Sequence, residues 1–397
     1  MSRVEEISAP SDRVIRISLK KPFALLPDAL AQPACVIMPE RIARTDPNKQ
    51  IMDPTGSGPF RYVLEERLAG SRSVYARFES YVPRPDGITS FLAGPRVVHF
   101  DRVVWTYQPD PATAAAALMK GEYDWWENPL VDLASMMRRQ GDLDVAVKNR
   151  MGLIGCMRFN HLFPPFDNVA IRRLVLSAVG QRAFMDSVVG AEPELSRTGI
   201  GLFTPGTPMA NDAGIEVLQA RTDYDAMKKE LMAAGYKNEK IVLLGVTTAP
   251  SLAAQSQVAA DLLRRMGFNV DYQAMESGAM VQRRASKEPP EKGGWNMFVT
   301  NLTGAANVFV PAQFAIRSGS SAWPGWPNAP KLDELREAWL DALTIEDQKN
   351  LARELQAQMW RDVPYVPLGL FFGPTAFHKN LKDIQDGWPV FHAVRRV

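Results

Sequence analysis

The sequence predicts a multi-domain chain of the α/β or mixed class, and three observations carry that expectation. Its 397 residues exceed what one ordinary domain holds. Apolar residues make up 46% and charged residues 23%, globular proportions with ample material for a core. A strand, a helix and a strand follow one another between 241 and 273. That succession reads as a βαβ unit, a parallel pair with a right-handed crossover.

Composition also removes function classes. The chain has 46 Lys and Arg against 44 Asp and Glu, a net charge of +2 without the basic excess of a nucleic-acid binder. Two cysteines, Cys35 and Cys156, are too few for a disulfide framework or a cysteine-rich zinc site. Their number fits either a reducing compartment or a large exported bacterial protein. Met1-Ser2-Arg3-Val4-Glu5-Glu6 shows no apolar signal core, and no run of about 18 apolar residues exists to span a membrane.

The elements follow in order. Val4–Ser8 and Val14–Leu19 flank the turn cluster Ala9-Pro10-Ser11-Asp12 and read as a hairpin. The Gly- and Pro-rich segment 53–60 is a tight turn. Strand-like stretches follow at Phe60–Val63 and Val74–Phe78, and Val97–Tyr107 is a long extended run. Asp110 as N-cap and Pro111 in the first turn open a helix that Gly121 closes. Arg158 to His161 is extended, Pro164-Pro165-Phe166 breaks it, and Asp167 is placed to cap a helix bearing Ile171, Leu174, Val175, Ala178 and Val179 on one face. A helix at Tyr224–Ala234 ends at Gly235. The βαβ unit comprises Ile241–Val246, Pro250–Met266 and Phe268–Gln273. Helices at 331–342 and 346–361 precede a last strand, Tyr365–Phe372.

One stretch is compositionally unusual. From Gly293 to Pro330 the only charged residue is Arg317, among six Trp and Phe residues and the amides Asn296, Asn301 and Asn307. It has two readings: core beneath long loops, or the wall of an apolar cleft with a few placed amides. Arg317 reads either as an anion holder or as a loop cap.

Catalytic signals are weak. His99, His161, His378 and His392 lack metal-ligand spacing, and His99 reads as structural or surface. Ser57 in Gly-Ser-Gly is not a nucleophile elbow, and no phosphate-binding loop or complete dinucleotide fingerprint is present. Glu65-Glu66 and Asp124 with Glu127 are paired acids of the kind that usually face solvent. Glu127 follows Trp125-Trp126, so it reads either as an exposed acid beside core aromatics or as the partner of a ligand amine.

Several segments together resemble family 5 extracellular solute-binding proteins, the dipeptide, oligopeptide and nickel receptors of ABC importers. Asp53-Pro54-Thr55-Gly56-Ser57-Gly58-Pro59-Phe60 resembles their "GTGPY" turn. Phe100-Asp101-Arg102-Val103, followed by Leu118-Met119-Lys120-Gly121-Glu122-Tyr123-Asp124, resembles their strand, helix and "G-E-x-D" segment. Arg158-Phe159-Asn160 with Pro164 to Asn168 and Ile171-Arg172 resembles "FN…PPF" and its helix. Tyr224 to Tyr236 is similar to "Y-D-x-x-K-A-x-x-L-L-x-x-A-G-Y". Leu332 to Leu370 resembles the C-terminal helix pair and strand. The five stand in the family's order over nearly the whole chain.

The resemblance implies an α/β, two-lobed periplasmic-binding-protein type II fold, N-terminally incomplete. Members carry a signal sequence, a first strand and a longer small subdomain ahead of the hairpin. Residues 1–52 would be the remnant of that subdomain in lobe I. Residues 53–158, completed by 373–397, would be the main part of lobe I, and 159–372 would be lobe II. It implies a substrate-binding receptor of an ABC importer that captures a peptide or similar small solute by hinge closure and delivers it to permease subunits. No catalysis, cofactor, metal or nucleic acid is implied. The expected location is periplasmic, peripheral to the membrane, and the expected state a monomer. Trp125, Trp126, Glu127, Asn160, Asn301, Asn307, Trp323 and Trp326 are expected to face the cleft, partly by family position and partly from the charge-free stretch. Trp326 reads equally as a loop anchor. Dipeptide receptors use an Asp after "G-D-P" to pair a peptide's amino terminus. Thr303-Gly304-Ala305-Ala306-Asn307 has no carboxylate there, so Asn307 would meet a neutral group instead. Two other readings stand beside this one: a truncated fragment without binding activity, and a hydrolase using Asp124 or Glu127 with a histidine.

Overall fold

The computed structural model describes residues 3–31, 35–46, 51–319 and 322–397. In chain order its strands are β1 (Val4–Ser11), β2 (Val14–Leu19), β3 (Phe60–Tyr62), β4 (Arg72–Arg77), β5 (Arg102–Thr106), β6 (Trp125–Trp126), β7 (Leu143–Ala146), β8 (Leu153–Phe159), β9 (Ser196–Arg197), β10 (Lys240–Val246), β11 (Asn269–Met275), β12 (Met297–Thr303), β13 (Tyr365–Phe371), β14 (Thr375–His378), β15 (Leu381–Lys382) and β16 (Arg395–Arg396). The helices are α1 (Leu26–Leu30), α2 (Glu40–Ala43), α3 (Pro111–Met119), α4 (Val131–Met137), α5 (Val169–Ala178), α6 (Gln181–Val189), α7 (Tyr224–Ala233), α8 (Pro250–Arg265), α9 (Ser277–Arg284), α10 (Pro330–Asp341) and α11 (Ile345–Asp362).

The chain divides into two compact units. Unit 1 holds Met1–Cys35, Leu153–Val189 and Ser196–Phe371, and unit 2 holds Val36–Gly152, Gly190–Leu195 and Phe372–Val397. The units depart from the expected boundaries at 1–35, 153–158, 190–195 and 372, and two of these departures have a clear cause. Leu153–Phe159 belongs wholly to unit 1, because β8 is laddered on one side to β12 and on the other to β13. The N-terminal hairpin also groups with unit 1, where Arg3 pairs with Glu337 and Asp341 on α10 and Lys21 with Asp341.

Unit 1 is built on a six-stranded sheet of order β11-β10-β12-β8-β13-β9. The βαβ unit is present as read: β10 and β11 pair in parallel from Lys240↔Asn269 to Val246↔Met275, with α8 between them in sequence. Continuous apolar strands suit a sheet covered on both faces. On one face Val242, Leu244, Val246 and Phe298 pack with Trp295, Met280, Ala322 and Trp326.

The helices begin where short polar side chains meet orphan N–H groups. The Asp110 carboxylate accepts from Thr113 N at 2.7 Å, as expected. For α5 the cap is Asn168, not Asp167: its Oδ1 accepts from Ala170 N at 2.9 Å, while Nδ2 donates to Ala234 O at 2.8 Å. The shift of one residue lets a single amide serve the ends of α5 and α7. Of the extended run 97–107, only Arg102–Thr106 is laddered, against β4.

Two arginines lock unit 1 without any acid. Arg158 is fully buried and donates to Ala315 O (2.6 Å), Pro324 O (2.8 Å), Pro364 O (3.0 Å) and Trp323 O (3.1 Å). Arg172 donates to carbonyls of Phe166, Asp167, Asp362 and Val363. Burial draws both guanidinium groups down to about 10. Val363, a β-branched residue at φ 46°, is held in the left-handed region between these anchors.

Unit 2 is built from smaller sheets. These are β3-β4-β5, the three-stranded β6-β14-β7 and the pair β15-β16. Ala115, Leu118, Met137, Leu143 and Ala376 form a buried cluster that joins α3 and α4 to the β6-β14-β7 sheet. None of the helices of the described residues is long and apolar enough to cross a membrane.

Candidate ligand-binding site

In unit 1 the order of the strands singles out one edge. From β10 the chain passes to β11 on one side, then to β12 on the other, and β12 also runs parallel to β10. The direction of winding therefore reverses at β10. Ligands of open α/β sheets bind outside the carboxyl ends of strands at such a switch point. Those ends carry Thr247-Thr248, Glu276-Ser277 and the turn Thr303–Asn307.

Polar side chains organise this edge. Thr248 and Ser277 hydroxyls share a hydrogen bond of 2.5 Å, and Thr247 N donates to Met275 O at 2.9 Å. Glu276 caps α9 through Gly278 N and Ala279 N, and these donors hold its carboxyl below the usual range. Thr303 Oγ1 accepts from Ala306 N at 3.3 Å, and Thr204 Oγ1 donates to Gly304 O at 2.7 Å. Asn307 is buried, and its Nδ2 forms no hydrogen bond. Burial pushes the Tyr365 hydroxyl well above its ordinary value, with the Arg158 guanidinium pulling the other way.

Three passages of the chain between units lie at the same edge of this sheet. Leu153 pairs with both Thr303 and Phe371, and Phe371 also pairs with Ser196. These residues begin or end the unit 1 segments at 152–153, 195–196 and 371–372.

The expected unit 1 residues are not brought together. Asn301 stands opposite Gly155 and turns toward α8, where its Oδ1 accepts from Gln255 Nε2 at 3.1 Å. Asn160 is 0% exposed: Nδ2 donates to Trp295 O at 2.9 Å and Oδ1 accepts from Leu162 N at 3.1 Å. It is a structural amide that joins the end of β8 to the residues preceding β12. Trp326 is buried at φ 43° with its ring 6.0 Å from Trp295, the loop-anchor reading. Trp323 is half-buried, edge-on to Phe298 (5.3 Å) and Phe314 (5.2 Å) and 5.0 Å from the Arg158 guanidinium. Asn160, Trp323 and Trp326 gather at the Met297 end of β12. At about 3.3 Å per residue that end is roughly 20 Å from Thr303. Only Asn307 lies at the switch-point edge. Thr247, Thr248 and Thr303 were missed by sequence reasoning, and the strand order inferred from the βαβ unit is the signal that points to them. Arg317 is exposed and donates to Pro311 O at 2.6 Å, the loop-cap reading.

The unit 2 residues do lie together. β6 pairs antiparallel with β14, Trp125 opposite Phe377 and Trp126 opposite Ala376. Trp125 Nε1 donates to Thr375 Oγ1 at 2.6 Å, and that hydroxyl donates to Trp126 O at 2.9 Å. The Trp125 ring stands edge-on to Phe391 at 5.8 Å. Glu127 continues from β6. It is half-buried, and burial raises its carboxyl above the ordinary range.

With this geometry in view, likeness to known proteins is informative. The model of the bacterial extracellular solute-binding proteins, family 5 Middle, matches residues 1–324. A probable peptide ABC transporter periplasmic-binding protein of Sinorhizobium fredii is 36% identical over 391 residues, covering 97% of this chain and 72% of its own length. This chain belongs to the bacterial extracellular solute-binding proteins, family 5. Solved structures share its fold. The binding protein AgaA of A. tumefaciens R10, in complex with agropinic acid, superposes with a TM-score of 0.80 at 17% identity, over 100% of this chain and 78% of that one. A dipeptide-binding protein from Pseudoalteromonas sp. SM9913, in complex with Met-Leu, does so at 0.75 and 19%, over 99% and 74%. The fold is the two-lobed α/β fold of type II binding proteins.

The remaining chemical groups of this family 5 protein are engaged structurally. The Asp124 carboxylate pairs with Arg396. His378, next to it across the ladder, turns its ring to Leu118 O (2.8 Å) and Asp142 (3.4 Å). His161 faces Pro364 O at 3.3 Å, and burial beside Arg172 and Arg158 keeps it neutral. His392 Nε2 faces Phe91 O. His99 is exposed.

Proposed function

We propose that this family 5 protein is the substrate-binding receptor of an ABC importer, capturing a peptide or similar small solute and delivering it to permease subunits. Closure of two lobes around the solute, with the strand passages at 153, 196 and 371 as hinge, is the motion this reading requires. Expected lobe I corresponds to unit 2 and lobe II to unit 1. The protein works in the periplasm, peripheral to the membrane, as a monomer and without catalysis.

One observation carries the reading. The switch-point edge of unit 1 presents hydroxyls and backbone groups beside the three passages, and the acid there, Glu276, is taken up in capping α9. Pairing of Asp124 with Arg396, and of His378 with Leu118 O and Asp142, speaks against the hydrolase alternative. The S. fredii relative, named for peptide transport, supports a peptide-like solute. The A. tumefaciens structure, solved with agropinic acid, keeps another small solute open beside a peptide.

The test is incubation with a defined peptide mixture, followed by native mass spectrometry and product analysis. Stoichiometric capture of unchanged solute is expected. Release of cleaved product overturns the absence of catalysis, and no capture overturns the receptor role for peptides.

A further inference from the structure

Arginines that leave the surface of this chain give their donors to oxygen. Arg158 and Arg172 serve carbonyls, Arg336 pairs with Asp333 on its own helix, and Arg221 pairs with Glu230. Arg3, Arg77 and Arg96 likewise find a carboxylate or a carbonyl. On α9, Arg283 donates to Gln273 Oε1 (2.5 Å), Gly293 O (3.1 Å) and Gly294 O (3.2 Å).

Arg284, the next residue, is the exception. It is half-buried, yet its guanidinium has no hydrogen bond or ion pair among the described residues. It lies over the Phe298 ring at 5.7 Å and over the Trp323 ring at 5.4 Å. Burial draws it below its ordinary value, with no acid beside it to offset the loss. Glu288 and Glu291, the acids that follow, are exposed and do not pair with it.

Stacking does not use up this side chain. Aromatic rings attract the face of a guanidinium, whereas its N–H donors lie in the plane of the group. The fork is also held in place. Arg284 O accepts from Trp295 Nε1 at 3.1 Å, which ties its backbone to a fully buried indole. Trp295, Phe298 and Trp326 belong to one buried cluster, with Trp323 packed against it. A second cation, Lys287, stands 5.2 Å from the Trp326 ring on the same cluster. Two positive groups are thus set on one aromatic platform, and a donor fork that is already ordered binds at lower cost. At about 3.3 Å per residue, Phe298 stands roughly 16 Å from Thr303 along β12, well away from the switch-point edge.

We propose that Arg284 on this platform is a binding site for an oxyanion, a carboxylate or phosphate group, separate from the solute site. The in-plane donors match two oxygens side by side. Half-buried Trp323 and Phe314, edge-on at 5.2 Å, offer an apolar surface to the body of a carboxylate. The anion supplies the counter-charge that a desolvated cation lacks here. This site does not depend on the receptor role.

The test is an NMR titration of the full chain, isotope-labelled, reading the Arg284 Nε–H signal assigned through its backbone. The probes are sodium benzoate and inorganic phosphate, with benzamide and sodium chloride at matched ionic strength as controls. Benzoate and phosphate are expected to move the signal saturably with a Kd of about 1–10 mM, and the controls to leave it in place. Saturation by only one of the two anions supports the site and identifies which group it takes. Arg284→Lys keeps a cation over the rings but loses the fork, and should bind benzoate about tenfold more weakly, read on the Trp323 indole N–H. Arg284→Gln should bind neither anion. A signal that moves with neither anion, or equally with a control, overturns the proposal, as does unchanged affinity in either variant. The wild-type titration does not depend on how the variants fold, and its failure leaves the receptor role standing.

Discussion

Arg158 in unit 1 and Arg102 in unit 2 both lie at the edge of recognisable motifs, yet the two units use them differently. Arg158 is fully buried and spends its donors on four carbonyl oxygens from the segment 315–324 and from Pro364. Arg102 is about half exposed and meets Glu66 across the surface of a small sheet. In unit 1 a cation takes the place of a backbone ladder, tying an irregular segment to a six-stranded sheet. In unit 2 the same side chain is an ornament on a ladder that already exists. Burial decides the difference, because a carbonyl deprived of its donor inside the protein cannot turn to water.

The comparison can be broken first at its centre. Arg158→Met should destabilise unit 1 by on the order of 4 kcal/mol, because several carbonyls lose their donor together. Arg102→Met should leave the melting temperature unchanged, since exposed pairs contribute little. Calorimetry that resolves the two units distinguishes these outcomes, and equal effects would refute the contrast. Next in size is Gly325→Ala. Gly325 has φ 114°, and a Cβ there would sit 2.4 Å from Arg158 Nε and 2.5 Å from Phe159 O. The expected loss is about 2–4 kcal/mol, confined to the unit 1 transition.

Smaller still is Asn168→Ala, expected to cost about 1 kcal/mol by denaturant unfolding. Asp110→Ala in unit 2 should shift the midpoint less, because Asn168 also ties α7 to α5 whereas Asp110 serves only its own helix. The smallest effect concerns Asp53, whose carboxyl is held at about 2 by hydrogen bonds from Thr55, then from Arg41. Its folded value lies below its unfolded one. The stabilisation is therefore complete above the ordinary carboxylate range and is lost as pH falls toward about 2. Carboxyl NMR should show this group titrating at about 2, and a midpoint near 4 would contradict the pairing.

Local signals in the sequence carried much of the fold. The parallel pair at 241–273, the helix ending at Gly235 and the Asp110 cap all depend on neighbours close in sequence. The division into units was less legible at Leu153–Phe159, because that strand's membership depends on partners far along the chain. For the same reason the amides were hard to read. Asn301 and Thr303 share a face, yet the first is covered by α8 through Gln255 and the second ends at an open edge. Asn160 and Asn307 are the same residue type in similar company, but one has its side chain satisfied and the other has a free buried donor. Nothing in the residue type foretells which. Arg158, the main anchor of the aromatic segment, gave no signal at all, since arginines are ordinarily surface residues.

The β6-β14-β7 sheet has a central strand, Thr375–His378, that comes from the far end of the chain. During synthesis at about 5–20 residues per second, its two outer strands would wait tens of seconds or more for the middle one. Until residue 378 has been made, Trp125, Trp126 and Glu127 have no ladder to join. The part of unit 2 that carries these residues can form only once residue 378 has been made. The sheet is thus kept from closing early by its own order of assembly.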